Sequence, residues 1–394
     1  MNHKLDDIVF EGIVSIRDRL LTMPDPLRLE SGDPSFDTPV HIKEALAKAL
    51  RDNATHYAPS TGIKPLREAI INKLRSDNKI SYLSGPDNVV VTNGGMHALY
   101  CTFQALLNPG DEVIYPQPNW TATGWIIKLC GGELVKVPLR AENGYVWDPA
   151  EVESSISPRT KAILVNSPHN PTGGIFKRKD IVALLDIAAK HNLYVVSDEA
   201  YEHIIYDELH VSAGSIASDY PQTVRDKIVT CFTFSKSYAM TGWRLGYAVC
   251  SDQRLIDQMK KIILYSINGV STPTQHAGIV ALNGPQECVA EMRDEYKTRR
   301  DILFQGVNQT DFLKCETPPG GAFYLYARIT DSWPGTPWEL VNYLIENYSL
   351  GSVPGDIFYD EQPSIRFAYA CSTEMIERAI RVLSHPRSQP AGRA

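Results

Sequence analysis

This chain lacks the features that would mark a membrane span, a secreted scaffold or a nucleic-acid binder. No apolar run approaches the roughly 18 residues that a membrane helix needs, so no membrane partner is expected. Positive charge is not in excess: 39 Lys and Arg against 46 Asp and Glu leave a formal net charge of −7, and so no basic face for nucleic acid. Cysteine is sparse. The seven, Cys101, Cys130, Cys231, Cys250, Cys288, Cys315 and Cys371, are odd in number, widely spread and mostly set in apolar segments. None has metal-ligand spacing to another, so buried free thiols are expected rather than disulfides or a metal site. Met1 to Asp7 lacks the basic-then-apolar order of a secretory signal, and retention in the cytoplasm is the expectation. Internal repeats and low-complexity tracts are absent as well.

What the chain does have is length and an alternation of strand and helix patterns. Its 394 residues can bury a large core in about two to three domains. Early in the chain, Ile13, Ile16, Leu20 and Leu21 carry a short helical pattern, broken at Pro24 and Pro26. A turn-rich stretch, Ser31 to Pro39, leads into a helix through Leu50, with Thr38 expected as its cap. Residues 64–76 read as a second amphipathic helix.

From Val89 onward the units are strand, turn, helix: strands over 89–92, 111–115, 161–165 and 193–196, and helices over 96–107 and 180–191. Gly94-Gly95 between strand and helix would expose free backbone amides and a helix dipole to an anion. Helical stretches over 253–261 and 285–305 follow, then a strand near Tyr324, a loop at Val353-Pro354-Gly355 and a strand over 364–370. The tail from Ser384 is polar, with Pro386, Pro390 and Gly392, and reads as disordered.

The most informative stretch runs from Cys231 to Tyr247, CFTFSKSYAMTGWRLGY. Strands over 228–234 and 245–250 flank it, so Lys236 and Arg244 fall in the connection between two buried strands, where α/β folds place their chemistry. A lone lysine is ordinarily a solvated surface residue. In an apolar pocket, however, it can lose its proton near neutral pH and form a Schiff base with a carbonyl, while Thr233, Ser235 and Arg244 could hold a phosphate. A lysine beside a phosphate cradle points to pyridoxal phosphate.

The segment Ser235 to Tyr247 resembles the cofactor-lysine segment of class I/II aminotransferases, the fold-type I family related to aspartate aminotransferase. Further motifs of that family follow in order from Ser31 to Ala370. The resemblance implies an α/β fold with a mostly parallel seven-stranded sheet in a large domain, residues 41–284. A small α/β domain, residues 285–384, would pack with the segment 1–40, leaving 385–394 as a tail.

The same resemblance implies residue roles. Lys236 would carry the cofactor, Asp198 would pair with its ring nitrogen, and Tyr201 would hydrogen-bond its ring oxygen. Glu199 is the rival carboxylate at that strand end. Gly94, Gly95, Met96, Thr233, Ser235 and Arg244 would surround the phosphate, with Tyr57 reaching it from the other subunit of a homodimer. Trp120 would stack on the ring, leaving Trp125 as a core residue. Asn170 would touch both ring oxygen and substrate, whereas His169 reads as a neighbour. Arg366, in the strand over 364–370, would fork onto the α-carboxylate, which the backbone of Gly32 would also approach.

The implied activity is amino transfer between an L-amino acid and a 2-oxo acid by way of a Lys236 Schiff base. Two departures stand out. Met96 replaces a lysine that some bacterial aspartate aminotransferases carry, thought to meet the distal carboxylate, so aspartate is not assigned as the substrate. Tyr359 stands where many members have glycine. Elimination, replacement, cyclisation or oxidation of an amino acid share the same first step and remain open. A PLP-binding regulatory module would need an added DNA-binding region, and only about thirty residues precede Gly32.

Overall fold

The computed structural model describes Ile8 and residues 12–384. Met1 to Asp7, read above for a signal, and the tail 385–394 lie outside the described residues. A seven-stranded sheet runs in the order Val89–Thr92, Gly246–Val249, Ile228–Thr233, Tyr194–Asp198, Thr160–Asn166, Glu112–Gln117, Glu133–Pro138. Gly246–Val249 is antiparallel to both its neighbours, and the remaining pairs are parallel.

These strands are near-continuous apolar runs because helices cover both faces. Leu164, Val196 and Val229 face one cluster, which includes Leu99, Phe103 and Ile256 from helices Gly95–Leu106 and Gln253–Ser266. Ile163, Val165, Val195 and Ile228 face another, with Leu184 and Leu185 from helix Arg178–His191. The period-two alternation of side chains sorts neighbours to opposite faces.

Register decides where the polar ends of these strands meet. Asn166 lies opposite Asp198, and Asp198 opposite Cys231, two residues before Thr233. Thr233 in turn lies opposite Gly246, and Gly246 opposite Thr92. The loops after Thr92, Asn166, Asp198 and Thr233 therefore leave the sheet along one edge, its carboxyl edge.

A second, four-stranded antiparallel sheet has the order Val353–Pro354, Ser364–Ala368, Tyr324–Ile329, Leu313–Lys314. Leu27–Arg28 pairs in parallel with Leu350–Gly351. One cluster joins Ile16, Leu20, Leu27 and Leu29 to Leu303, Phe323, Leu344, Phe367 and Ile376, so the first described helix, Ile13–Leu21, packs with the C-terminal part of the chain.

Three local expectations are corrected. Thr38 does not cap the helix Val40–Arg51, whose N-cap is Pro39; the Thr38 hydroxyl donates instead to the carbonyl of Ala239, 2.6 Å away, because the chain turns that side chain toward the segment that follows Lys236. Val353-Pro354 is a short edge strand rather than a loop, since Pro354 at an edge needs no ladder donor. Trp125 is only partly buried, its ring covered by the Lys128 ammonium at 4.8 Å, because its side of the helix Thr121–Leu129 meets solvent.

A buried ion pair ties helix Lys64–Ser76 to the segment just after Tyr201. Lys73 pairs with Glu202, and Asn78 bridges both at 2.7 Å. Burial alone would raise the Glu202 pKa, but Lys73, His203 and Asn78 outweigh it and bring it to about 2 from the ordinary 4.5. Lys73→Met would leave that carboxylate buried without its cation, and an expected loss of about 3–5 kcal/mol should appear as a lower urea midpoint. Because the folded pKa is depressed, the pair's contribution is complete above pH 4.5 and is lost as pH falls toward 2. A loss below about 1 kcal/mol would reduce the pair to the value of a surface bridge.

Candidate active site

The carboxyl edge gathers a cradle suited to an oxyanion. Gly94 has φ +85°, which glycine adopts freely, and hands the chain to helix Gly95–Leu106, whose first amides have no partner within the helix. Arg244 folds back over this turn. A Cβ on Gly94 would stand 2.5 Å from its Nη2, and one on Gly95 3.2 Å from the Cβ of Thr233. The Thr233 Oγ1 accepts from the Ser235 amide at 3.2 Å and donates to its hydroxyl at 2.9 Å. Met96 sits in the same first helical turn, with 45% of its surface exposed. Two glycine approaches, two hydroxyls and a guanidinium thus surround one space.

Lys236 lies in a four-residue helix, Phe234–Ser237, directly after that strand, and its Nζ donates to the carbonyl of Gly32 at 2.8 Å. Burial pushes its pKa down to about 8, with Asp33 opposing and the charges of Arg244 and Arg366 adding to the effect. Asp198 ends the next strand and is buried. Burial raises its carboxyl to about 7, against the Ala200 amide and Lys236, which favour the anion. Next to it, Glu199 accepts from Ser197, Ser212, the Ala213 amide and His210 at 2.8–3.1 Å, and so is fully engaged. Of the two carboxylates, Asp198 is the one short of a partner.

Arg366 is 2% exposed. Its Nη1 donates to Asn170 Oδ1 at 2.9 Å and its Nη2 to the Glu30 carbonyl at 2.7 Å, while its Nε has no partner among the described residues. The guanidinium lies over the rings of Tyr324 and Phe358, at 4.4 and 4.8 Å. The Tyr201 and Tyr324 hydroxyls are 2.8 Å apart. Sequence reasoning missed Tyr324, Glu30 and Phe358. For Tyr324 a signal existed, since a tyrosine inside the apolar run Phe323 to Leu325 needs a buried partner for its hydroxyl.

The structure thus brings together Gly32, Gly94, Gly95, Asn170, Asp198, Tyr201, Thr233, Ser235, Lys236, Arg244 and Arg366. Trp120, the N-cap of helix Thr121–Leu129, stands after Gln117 on the same edge, its carbonyl bound by Tyr115 at 3.0 Å. His169 is buried, bonded to Thr172 at 2.8 Å, and driven down to about 3 by burial, which leaves it neutral. Tyr57 is 91% exposed and makes no hydrogen bond among the described residues. A wide cleft of about 1240 Å³, lined by Arg140, Lys177, Tyr326 and Glu361, lies apart from Lys236 and Asp198.

These groups fit pyridoxal phosphate. A buried carboxyl raised for want of a cation suits a protonated ring nitrogen, the Gly94 cradle that a Cβ would fill suits a phosphate, and a lysine discharged near neutral pH suits a carbonyl. Fold and site together define a fold-type I enzyme dependent on that cofactor. Residues 24–383 match the family "Aminotransferase class I and II", and the chain belongs to it. It is a pyridoxal-phosphate-dependent aminotransferase.

Among its relatives, a probable aspartate aminotransferase of Methanocaldococcus jannaschii is 38% identical, over 92% of this chain and 94% of the other. An aspartate/prephenate aminotransferase of Thermus thermophilus is 39% identical, over 90% and 89%. A solved aspartate aminotransferase from Thermus thermophilus with maleate superposes with TM-score 0.91 at 35% identity, covering 98% of each chain.

Burial of Lys236 has a measurable cost in the protein stripped of cofactor. Its folded pKa lies below the ordinary 10.5, so the penalty for holding the ammonium is complete below about 8 and gone above 10.5. Cofactor-free Lys236→Met is expected to melt above cofactor-free wild type at pH 6, with the gap closing as pH rises. A gap that is constant across that range would mean that ionisation is not its cause.

Proposed function

We propose that this chain moves an amino group between an L-amino acid and a 2-oxo acid at the Lys236 site, with residues in the roles that the motif order implies. The observation that carries the reading is the convergence of Lys236, Asp198 and Arg366, from three separate segments, into one electrostatically coupled group. Bound pyridoxal phosphate supplies an electron sink for negative charge at the amino acid's Cα. Lys236 holds that cofactor covalently and, once displaced, its Nζ takes the proton from Cα, a task suited to a group that ionises near 8.

Arg366 takes the α-carboxylate through its fork, with Asn170 beside it and the Gly32 backbone facing it. Asp198 would hold the proton on the ring nitrogen, and Tyr201 would donate to the ring oxygen. Trp120 would cover the ring face. Gly94, Gly95 and the Met96 amide would hold the phosphate, with Thr233, Ser235 and Arg244 completing the cradle.

We further propose a homodimer with shared sites, supported by the exposure of Tyr57, a large ring that the described residues leave 91% uncovered. The seven free cysteines, five of them buried, support a reducing compartment, the cytoplasm. We read residues 41–284 as the large domain and 285–384 with 1–40 as the small one, a division supported by the cluster that joins Leu20 and Leu27 to Leu344 and Phe367. The names of the relatives make aspartate the first donor to test; the apolar Met96 beside the cradle makes amino acids with uncharged side chains the next.

Lys236→Ala is expected to abolish turnover, by a factor of roughly 10⁴ or more. Mixing the loaded wild type with single amino acids, without acceptor, should bleach the visible band and release one equivalent of 2-oxo acid per subunit. Ammonia or a cyclised product beyond one equivalent would instead establish one of the other outcomes. For the shared site, Tyr57→Ala and Lys236→Ala chains refolded together should form mixed dimers with one complete site each. About a quarter of all sites would then regain tight cofactor binding and turnover. No gain on mixing would place Tyr57 outside the site.

A further inference from the structure

Tyr324 touches three of the assigned groups without having been assigned itself. Its hydroxyl is 2.8 Å from that of Tyr201, its ring lies 4.4 Å beneath the Arg366 guanidinium, and the same hydroxyl occupies the space where Gly32 has no side chain. A Cβ on Gly32 would stand 2.2 Å from Tyr324 Oη but 3.2 Å from its Cζ. The exclusion of a side chain at position 32 therefore comes mainly from one oxygen atom. Gly32 in turn offers its carbonyl to Lys236 Nζ at 2.8 Å. Strand pairing fixes this arrangement: Tyr324 lies opposite Ala368, two residues from Arg366, in the antiparallel sheet.

We propose that Tyr324 is a positioning residue of the reaction: its hydroxyl orients the Tyr201 hydroxyl, its ring seats Arg366, and Gly32 is bare so that this hydroxyl fits. The proposal rests on the roles given above to Tyr201 and Arg366. A Tyr201 hydroxyl that donates to the ring oxygen has its own oxygen free to accept, and Tyr324 is the donor in reach. With that donor in place, the Tyr201 proton points to the cofactor; without it, the hydroxyl can rotate away. Tyr201, Arg366, Tyr296 and, through Gly32, Lys236 are the titratable and charged groups that face Tyr324, and Asp198 faces Tyr201.

The test uses the loaded enzyme and five variants. In Tyr324→Phe the ring remains under Arg366, so KM for the amino acid should hold while kcat falls roughly five- to tenfold, the scale of one lost hydrogen bond. The pH midpoint of the visible absorbance should rise by about one unit, because a weakened Tyr201 donor no longer favours the deprotonated lysine linkage. Tyr324→Leu, which removes the platform as well, should also raise KM. Gly32→Ala should lower the melting temperature and the cofactor content, and adding Tyr324→Phe should restore most of both.

Equal damage from Gly32→Ala with and without the Tyr324 hydroxyl would overturn the proposal. So would an absorbance midpoint that moves in Tyr201→Phe but not in Tyr324→Phe. A midpoint unmoved in Tyr201→Phe itself would sink the assignment of Tyr201, and this proposal with it.

Discussion

Lys236 stands in the fields of two other cations, Arg244 and Arg366, at the carboxyl edge of the sheet, with Asp198 and Asp33 as counterweights. Taking such charges out of water is costly, and like charges make each other costlier. The lysine answers by giving up its proton near pH 8, which is what a nucleophile needs. Arg366 cannot do so, and keeps its charge only because Asn170, the Glu30 carbonyl and two aromatic faces replace its water. The surrounding architecture, from sheet register to helix placement, keeps Arg366 dry and Lys236 partly buried, while Arg244 stays exposed over the Gly94 turn.

Asp198 and Glu199 show how finely this environment discriminates. They are consecutive carboxylates at one strand end, both buried. Glu199 is saturated by four donors and has a settled structural place. Asp198 is left with the Ala200 amide and is driven up to about 7. Alternation along the strand turns one side chain toward a ring of donors and the other toward the cleft. The same logic separates His169, which is buried and neutral, from Lys236, which lies open to the reacting space.

Motif order named in advance many of the residues that the structure brings together. Ser235 to Tyr247, Asn166 to Gly174 and Ser197 to Tyr201 each carry turn residues at the end of an apolar run, and such runs end at the same sheet edge in a parallel α/β fold. Strand and helix positions came within a few residues for the same reason, because burial on both faces leaves an unbroken apolar signal. Thr38, Trp125 and Val353-Pro354 were misread because cap, core and edge positions are decided by what lies across from them. Tyr324 and Glu30 escaped because their significance arises from contacts with Tyr201 and Arg366, more than a hundred residues distant.

By itself, then, the sequence carried the fold class and the cofactor through the order of its motifs and their family resemblance, and pointed to Lys236, a lysine among hydroxyls before an arginine, as the residue that would hold that cofactor. Tertiary structure alone decided which of two adjacent carboxylates is short of donors, how far burial moves Lys236, and why position 32 has no side chain. Those are properties of distances between segments remote in the chain. Coulomb energies, desolvation and steric exclusion depend on such distances, and no local pattern encodes them.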